Sequence, residues 1–376
     1  MRQALALAAQ ARLICPPNPA VGCVIVDANG ALLGQGHTQP AGQAHAEVMA
    51  LRDAAAQGHS VAGATAYVTL EPCAHQGRTG PCCEALIAAG VGRVVAALQD
   101  PNPLVAGQGF ARLRAAGIAV EVGPGADESR ELNIGFFSRM ARGTPWVRLK
   151  AASSLDGRTA LPDGQSQWIT SPEARADGHA WRARACVVLT GIGTVLQDDP
   201  LLDARLAAAP RQPALAIVDA RLRTPPAARL WRAAPRRVLI YTAVQDAARQ
   251  RALTDLGAEV IALPDPRGQV DLVAMLRDLA RREMNEVHVE AGGTLNGALL
   301  RADLVDELLL YQAPLLLGEG PGIAAIGPLA ALTDGPRLIW RDVRRVGPDV
   351  MLLARVAGHG FFTELPVEFR LPRVDG

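Results

Sequence analysis

The sequence predicts an α/β protein built from two modules. Short β-type runs of Val, Ile and Leu alternate with Ala- and Leu-rich helical segments, the signature of an α/β layer architecture. The alternation pauses at Met140-Ala141-Arg142-Gly143-Thr144-Pro145 and then restarts, and 376 residues suffice for two domains. Hydrophobic residues make up 49% of the chain and aromatic ones only 4%, so the cores are expected to be small aliphatic side chains. Basic residues number 38 and acidic ones 37; this balance generates no field for attracting a polynucleotide and argues against nucleic acid as partner. The start, Met1 to Ala9, faintly mimics a signal peptide, but Gln10 and Arg12 interrupt it and an amphipathic first helix is the better reading. No apolar run reaches transmembrane length, so no membrane association is expected and the cytoplasm is the expected compartment.

The first module is expected over residues 1–143. Val21 to Val26 and Ala31 to Gly34 form a hairpin about the turn Asp27-Ala28-Asn29-Gly30. His45 to Ala56 reads as a helix, and Ala66 to Leu70 as a short buried strand ending at Glu71-Pro72-Cys73. Pro81 opens a second helix, CCEALIAAG, closed by Gly90. A strand over Arg93–Leu98, a helix over Phe110–Ala116 ended by Gly117, and a strand over Ala119–Val122 follow.

Chemistry concentrates in this module. His45, Cys73 and Cys82 offer an imidazole and two thiolates, three ligands for a tetrahedral Zn²⁺ whose fourth position stays open to water, with one ion expected per chain. Zinc lowers the pKa of bound water to about 7, and a nearby carboxylate can take a proton from the nucleophile and deliver one to a departing amine. Glu47, two residues after His45, is the acid so placed. His-x-Glu followed by Pro-Cys-x-x-Cys is the signature of zinc-dependent base deaminases; here eight residues, not two, separate Cys73 from Cys82. Cys83 shares a helical stripe with Leu86 and Ile87 and is expected to face the core, leaving Cys82 for the metal. Cys15, Cys23 and Cys186 read as buried apolar residues. A closed structural site with His75 as fourth ligand, and a Cys73–Cys82 disulfide, are the weaker alternatives.

The second module is expected over 146–357, with strands at Val147–Lys150, Val187–Leu189, Leu215–Val218, Val238–Tyr241, Val260–Leu263, Val287–Val289, Leu308–Tyr311 and Val350–Leu353. Residues 358–376 break the pattern and read as a tail. Two glycine-bearing turns, Gly191-Ile192-Gly193-Thr194 and Gly292-Gly293-Thr294-Leu295-Asn296-Gly297, follow strands, where backbone amides can cradle a cofactor's phosphates. Neither fits Gly-x-Gly-x-x-Gly, so a Rossmann domain is not expected.

With these motifs assembled, the chain resembles the bifunctional diaminohydroxyphosphoribosylaminopyrimidine deaminase and aminophosphoribosylaminouracil reductase family of bacterial riboflavin synthesis. The resemblance runs from about residue 3 to 357. It rests on Pro17-Asn18-Pro19, Gly34-x-Gly36-His37, His45-Ala46-Glu47-Val48, Thr69-Leu70-Glu71-Pro72-Cys73, Gly77-Arg78-Thr79, Pro81-Cys82-Cys83 and Asp100-Pro101-Asn102-Pro103. In the second module it rests on Ser154-Leu155-Asp156-Gly157-Arg158, Gln167-Trp168-Ile169-Thr170, Gly191-x-Gly193-Thr194, Asp198-Asp199-Pro200 and Glu290-Ala291-Gly292.

The resemblance implies a cytidine-deaminase-like α/β/α sandwich followed by a dihydrofolate-reductase-like α/β domain, with NADPH as hydride donor. It implies that His45, Cys73 and Cys82 ligate zinc, that Glu47 shuttles protons, and that Asn18, His37 and Arg78 contact the first substrate. Ala152, Trp168, Thr194, Asp198, Ala220 and the turn Gly292, Gly293, Thr294, Leu295, Asn296, Gly297, Ala298 would touch the nucleotide. Ser166, Arg182, Leu202, Arg205 and Glu290 would touch the second substrate. Outside that context, Trp168 reads as a packing residue, Arg182 as a surface charge and Asp198 as a turn former. Ala220 departs from the family, which often has a small hydroxyl residue there. The implied function is hydrolytic deamination of a phosphorylated ribosylaminopyrimidine, then reduction of ribosyl to ribityl, by a homo-oligomeric enzyme acting on small phosphorylated pyrimidines. The competing reading is a nucleoside or nucleic-acid deaminase with an accessory nucleotide-binding module.

Overall fold

The computed structural model describes residues 1–75, 80–206, 210–360 and 368. The chain forms two compact units that divide between Thr144 and Pro145.

In the first unit, β1 (Gly22–Val26), β2 (Leu32–His37), β3 (Thr65–Val68), β4 (Arg93–Ala96) and β5 (Ala119–Val122) form one sheet in the order β2-β1-β3-β4-β5. Its helices are α1 (Arg2–Ala11), α2 (Ala46–Ala56), α3 (Cys82–Ala88), α4 (Gln108–Ala115), α5 (Ala126–Leu132) and α6 (Ile134–Arg142). β1 pairs antiparallel with β2 and β3, whereas β3, β4 and β5 run parallel, joined by α3 and α4 as crossovers. The Asp27 carboxylate closes the β1–β2 turn by accepting from Asn29 N and Ala31 N, both at 2.8 Å. Helices lie directly on both faces of the sheet. A Cβ at Gly22 would stand 1.9 Å from the Ala4 carbonyl of α1, and one at Gly36 would stand 2.4 Å from Met49 Cβ of α2. Gly36 opposes Cys23 in the ladder, so it faces the side away from Gly22. Glycine at these positions lets α1 and α2 approach the backbone itself, and α2 brings Glu47 in its first turn.

The second unit holds a nine-stranded sheet. Its strands are β6 (Trp146–Ser154), β7 (Val187–Gly191), β8 (Ala214–Val218), β9 (Val238–Thr242), β10 (Ala258–Ala262), β11 (Glu286–Val289), β12 (Glu307–Ala313), β13 (Leu338–Val346) and β14 (Asp349–Val356), in the order β10-β9-β8-β7-β11-β6-β12-β14-β13. From β10 to β12 neighbouring strands are parallel; β14 runs antiparallel to both β12 and β13. Helices α7 (Pro172–Arg184), α8 (Ile192–Asp198), α9 (Ala247–Thr254), α10 (Leu272–Arg281) and α11 (Gly293–Arg301) connect the parallel strands. Strands covered on both faces need continuous apolar runs, and β7 and β11 bury Val187, Val188, Leu189, Val287 and Val289 completely. Buried polar residues also lie inside this sheet, among them Arg148, Glu286, His288 and Glu307. Arg148 is buried between Glu286 and Glu307, at 2.9 and 2.6 Å, under the Trp181 ring.

Several elements differ from expectation. Helix α11 opens at Gly293, inside the second glycine-bearing turn, with Gly292 in extended conformation as its N-cap. Helices α5 and α6 and strand β13 are additional. β13 (LIWRDVRRV) is exposed along nearly its whole length, so it carries no inward apolar alternation to read. Of the tail expected over 358–376, all but residues 358–360 and 368 lies outside the described residues.

Candidate active sites

Three chain segments meet at the first site. His45 is the N-cap of α2, Cys73 follows the end of β3, and Cys82 opens α3. Cys82 Sγ lies 3.3 Å and Cys73 Sγ 3.6 Å from His45 Nδ1. Among the described residues, these three gather their ligand atoms within 4.8 Å of one another; His75 is outside the group. The donor set and its spacing fit a zinc ion. Cys82 N donates to Cys73 Sγ at 3.3 Å, and Cys83 N donates to the Cys73 carbonyl at 3.2 Å, which fixes the turn carrying both thiols. The Cys82 thiol and amide, with His45, pull the Cys73 thiol down to about 4, against the effect of burial. That same Cys73 contact, followed by burial, pushes the Cys82 thiol up. The contact with Cys73 raises His45 although burial opposes it. Cys83 is fully buried and stands outside the group.

Glu47 is buried at 3% exposure beside these ligands. Burial, followed by the negative Cys73, pushes its carboxyl up to about 7, where it exchanges a proton readily near neutrality. His37 ends β2 opposite Gly22, its Nδ1 at 3.2 Å from the Thr38 carbonyl and held by Gln39. Asn18 lies in the loop before β1, its backbone N donating to the Cys15 carbonyl at 2.9 Å. Arg78 lies outside the described residues.

Two buried acids were passed over by the sequence reading. Glu71 Oε2 accepts from Asp100 N and Gly107 N at 3.1 and 2.9 Å, while Oε1 accepts from Gly109 N and Phe110 N at 2.9 and 3.3 Å. It ties the 100–110 segment to the strand end that carries Cys73. Asp100 is fully enclosed, and burial pushes its carboxyl up to about 8. Both sit in motifs visible in the sequence, but their partners lie 29 to 39 residues away and leave no local signal.

The second site is a cavity of about 1350 Å³ in the second unit. It opens at the carboxyl ends of β6, β7, β8 and β11, where parallel sheets place their ligands. Of the residues the resemblance implies for the nucleotide, Ala152, Trp168, Thr194, Asp198, Ala220, Gly292 to Asn296 and Ala298 line it. Gly297 does not: a Cβ there would meet the Ala325 carbonyl at 2.1 Å, so its role is close packing of α11 on that strap. Ser166, Arg182, Leu202, Arg205 and Glu290 also line the cavity. Trp168 is 66% exposed at the wall, with the Arg175 guanidinium 4.5 Å from its ring centre, and is not a core packing residue.

Charge is organised across this cavity. Arg182 Nε and Nη2 reach the two Glu290 oxygens at 2.6 and 2.8 Å, a paired fork and not a free surface cation. Although burial favours the neutral acid, Arg182 and then His288 and Lys150 hold Glu290 well below the usual carboxylate range. Lys150, on β6, lines the cavity, and burial lowers its pKa against the pull of Glu290. His179, on α7, faces the Arg205 guanidinium with Nε2 at 3.2 Å from Nε; burial, then Arg182 and Arg205, push it down to about 4. The sequence reading missed Lys150 and His179. A lysine inside an apolar strand was the available signal for the first, whereas His179 stands out only once α7 faces Arg205.

Comparison with known proteins agrees with both halves. A family model described as cytidine and deoxycytidylate deaminase zinc-binding region matches residues 1–98, and one described as RibD C-terminal domain matches residues 145–352. The riboflavin biosynthesis protein RibD of Escherichia coli (strain K12) is 46% identical over 365 residues, covering 94% of this chain and 97% of the relative. The solved Acinetobacter baumannii RibD superposes with a TM-score of 0.86 at 41% identity, covering 94% and 97% of the two chains. A Thermotoga maritima structure, described as a diaminohydroxyphosphoribosylaminopyrimidine deaminase and 5-amino-6-(5-phosphoribosylamino)uracil reductase, gives 0.85 at 32% identity, covering 95% and 97%.

Proposed function

The chain belongs to the RibD family of riboflavin biosynthesis proteins, and from that premise we propose how its residues divide the two reactions. It is a bifunctional enzyme, a deaminase and a reductase, whose family uses zinc and a nicotinamide cofactor. We assign deamination to residues 1–143 and reduction to residues 146–357. The proposed first substrate is 2,5-diamino-6-ribosylamino-4(3H)-pyrimidinone 5′-phosphate; the second is its uracil product.

The observation that carries the deaminase assignment is a buried carboxylate, Glu47, beside a three-ligand His45, Cys73, Cys82 group. We propose that these three hold one zinc ion per chain. Zinc, when bound, supplies the Lewis acidity that makes water nucleophilic near neutral pH. Glu47 takes the proton released as that water adds to the amino-bearing ring carbon, then returns it to the departing ammonia. Its burial excludes bulk water as a competing proton source. Asn18 and His37 orient the base, and Arg78 contacts the phosphate.

In the reductase, we propose NADPH as the nicotinamide cofactor. The nicotinamide, when bound, supplies hydride to the ribosyl C1′. Ala152, Trp168, Thr194, Asp198, Ala220, Gly292 to Asn296 and Ala298 form its binding wall, with amides at the start of α11 facing the phosphates. Arg205 holds the substrate phosphate, Ser166 and Leu202 flank it, and Arg182 keeps Glu290 ionised opposite Lys150 at the reacting end.

We place the enzyme in the cytoplasm as a homo-oligomer; among the described residues no helix is long and apolar enough to cross a membrane. The test is product analysis by mass. Purified protein with the deaminase substrate alone should yield the uracil, and adding NADPH should yield the ribityl compound. Deamination of cytidine or single-stranded DNA in place of this substrate would overturn the assignment.

A further inference from the structure

His359 stands outside both sites, just after β14 ends at Val356. Its ring Nδ1 lies 3.1 Å from Asp306 Oδ1 and its Nε2 lies 2.8 Å from Asp303 Oδ1, so both nitrogens meet carboxylates. A neutral imidazole carries one N–H and donates to one acceptor, and its other nitrogen would point a lone pair at an anion. The protonated ring donates to both acids at once. The geometry therefore selects the imidazolium.

The two acids are unequal. Asp303 is exposed and follows the end of α11 with a left-handed φ of 57°. Asp306 is buried, and its second oxygen accepts Val147 N of β6 at 2.7 Å. In the backbone, Asp306 N donates to the Val147 carbonyl and the Asp306 carbonyl accepts Val356 N, both at 3.0 Å. Asp306 therefore ties together the start of β6, the entry to β12 and the end of β14. His359 closes that junction from the far side of the last strand. The turn that aims it is held by His359 N donating to the Val356 carbonyl at 3.3 Å and Ala357 N donating to the Arg337 carbonyl at 2.8 Å, with Gly358 at a φ of 84° making the reversal.

Among the described residues, the α11–β12 corner presents Asp303 and Asp306 to the ring as charged groups, while β6, β14 and the entry to β13 contribute backbone: Val147 N, the Val356 carbonyl and the Arg337 carbonyl. The Asp306 contact, against burial, and then Asp303 raise His359 above its ordinary 6.5. A histidine so raised holds its proton more tightly in the folded chain than in the unfolded one. Its contribution is complete below pH 6.5 and is lost as pH rises through the folded value. Each pKa unit of that rise is a factor of about ten in the equilibrium between the closed and open junction.

We propose that His359 is a pH-operated clasp, which fastens the end of β14 to the α11–β12 corner when charged and lets that corner open when neutral. The corner is the far end of α11, the helix whose first turn lies at the reductase cavity. The clasp thus anchors that helix from the end opposite the cavity.

The test follows the full-length chain from pH 6 to pH 9 by histidine-selective NMR and by hydrogen exchange corrected for the intrinsic effect of pH. The His359 signal, identified by its loss in His359→Gln, should titrate above 6.5 in wild type. It should move back toward 6.5 in Asp303→Asn, which removes the exposed acid and leaves the buried Asp306 junction in place. Protection of residues 299–307 and 354–360 should fall in wild type as pH rises through the His359 value, by on the order of tenfold for each pKa unit of upshift. In His359→Gln, which cannot become charged, that pH dependence should flatten, while zinc content and deamination stay at wild-type levels. Titration of His359 at or below 6.5 would overturn the clasp, as would protection that stays level while His359 loses its proton. A His359→Gln variant that loses protection equally at every pH and keeps the wild-type pH dependence would reduce His359 to a packing residue and would also overturn it.

Discussion

Replacing Glu71 with Gln tests whether the deaminase site is held together by one buried carboxylate. Its two oxygens accept four backbone N–H groups, from Asp100, Gly107, Gly109 and Phe110, at 2.9 to 3.3 Å. Gln keeps the shape but replaces one oxygen with an amide NH2, which donates and cannot accept. Two of the four N–H groups then face a donor, whichever way the amide lies. Hydrogen bonds to a charged acceptor contribute about 1.5–3 kcal/mol each, so losing two should cost the first unit roughly 3–6 kcal/mol. The backbone has little room to slide toward a new arrangement, because a Cβ at Gly109 would already sit 2.0 Å from the Pro72 carbonyl. Hydrogen exchange measured on peptides spanning 98–111 should accelerate, and thermal unfolding of the first unit should shift down. Zinc content should persist, since no ligand is touched. Deamination should weaken, because the strand end that carries Cys73 loses its tie to the 100–110 segment, while reduction of already deaminated substrate should be unchanged. Unaltered exchange over 98–111 together with an unaltered unfolding temperature would refute the latch.

Glu47→Gln should keep zinc and fold but lower deamination by about 10²–10⁴-fold, with the reductase step intact; wild-type deamination in this variant would remove Glu47 from the mechanism. Cys82→Ser should lose metal and deaminase activity by elemental analysis and turnover, whereas Cys83→Ser should keep most of both. His179 gives a pH signature. Its folded pKa lies at about 4, below the ordinary 6.5, so the unfolded chain binds more protons between these values. The contribution is complete above pH 6.5 and is lost as pH falls toward 4, by about 1–2 kcal/mol after allowing for partial solvent screening. Denaturant unfolding of the second unit across that window should show the slope in wild type and a flatter one in His179→Gln.

What was legible in the sequence was what is written locally. His45, Cys73 and Cys82 each stand in a short motif at a helix start or strand end, so residue types and spacing suffice to nominate them. The alternation that indicated an α/β protein is likewise a local consequence of strands buried on both faces, as in β7 and β11. Periodicity fails where burial does not follow one face. Strand β13 exposes nearly all of its residues, so it displays no period of its own. Side chains acting through distant backbone escape for a different reason. Glu71 resembles one more acid in a metal motif until the fold delivers amides from residues 100–110 onto it. Lys150 resembles the end of an apolar strand until the neighbouring β11 brings Glu290 within its field.

Arg182 shows how far the same limit reaches into function. Taken alone on a helix it is a solvated cation, and its charge says nothing about a site. The fold buries it against Glu290 in a two-point fork and adds the Asp203 carbonyl as a further acceptor. That pairing fixes the guanidinium plane and keeps Glu290 ionised, so one contact organises two residues of the cavity at once. Among the described residues, Arg221, Arg223 and Arg229 are the converse case, exposed cations whose guanidinium groups meet no acid.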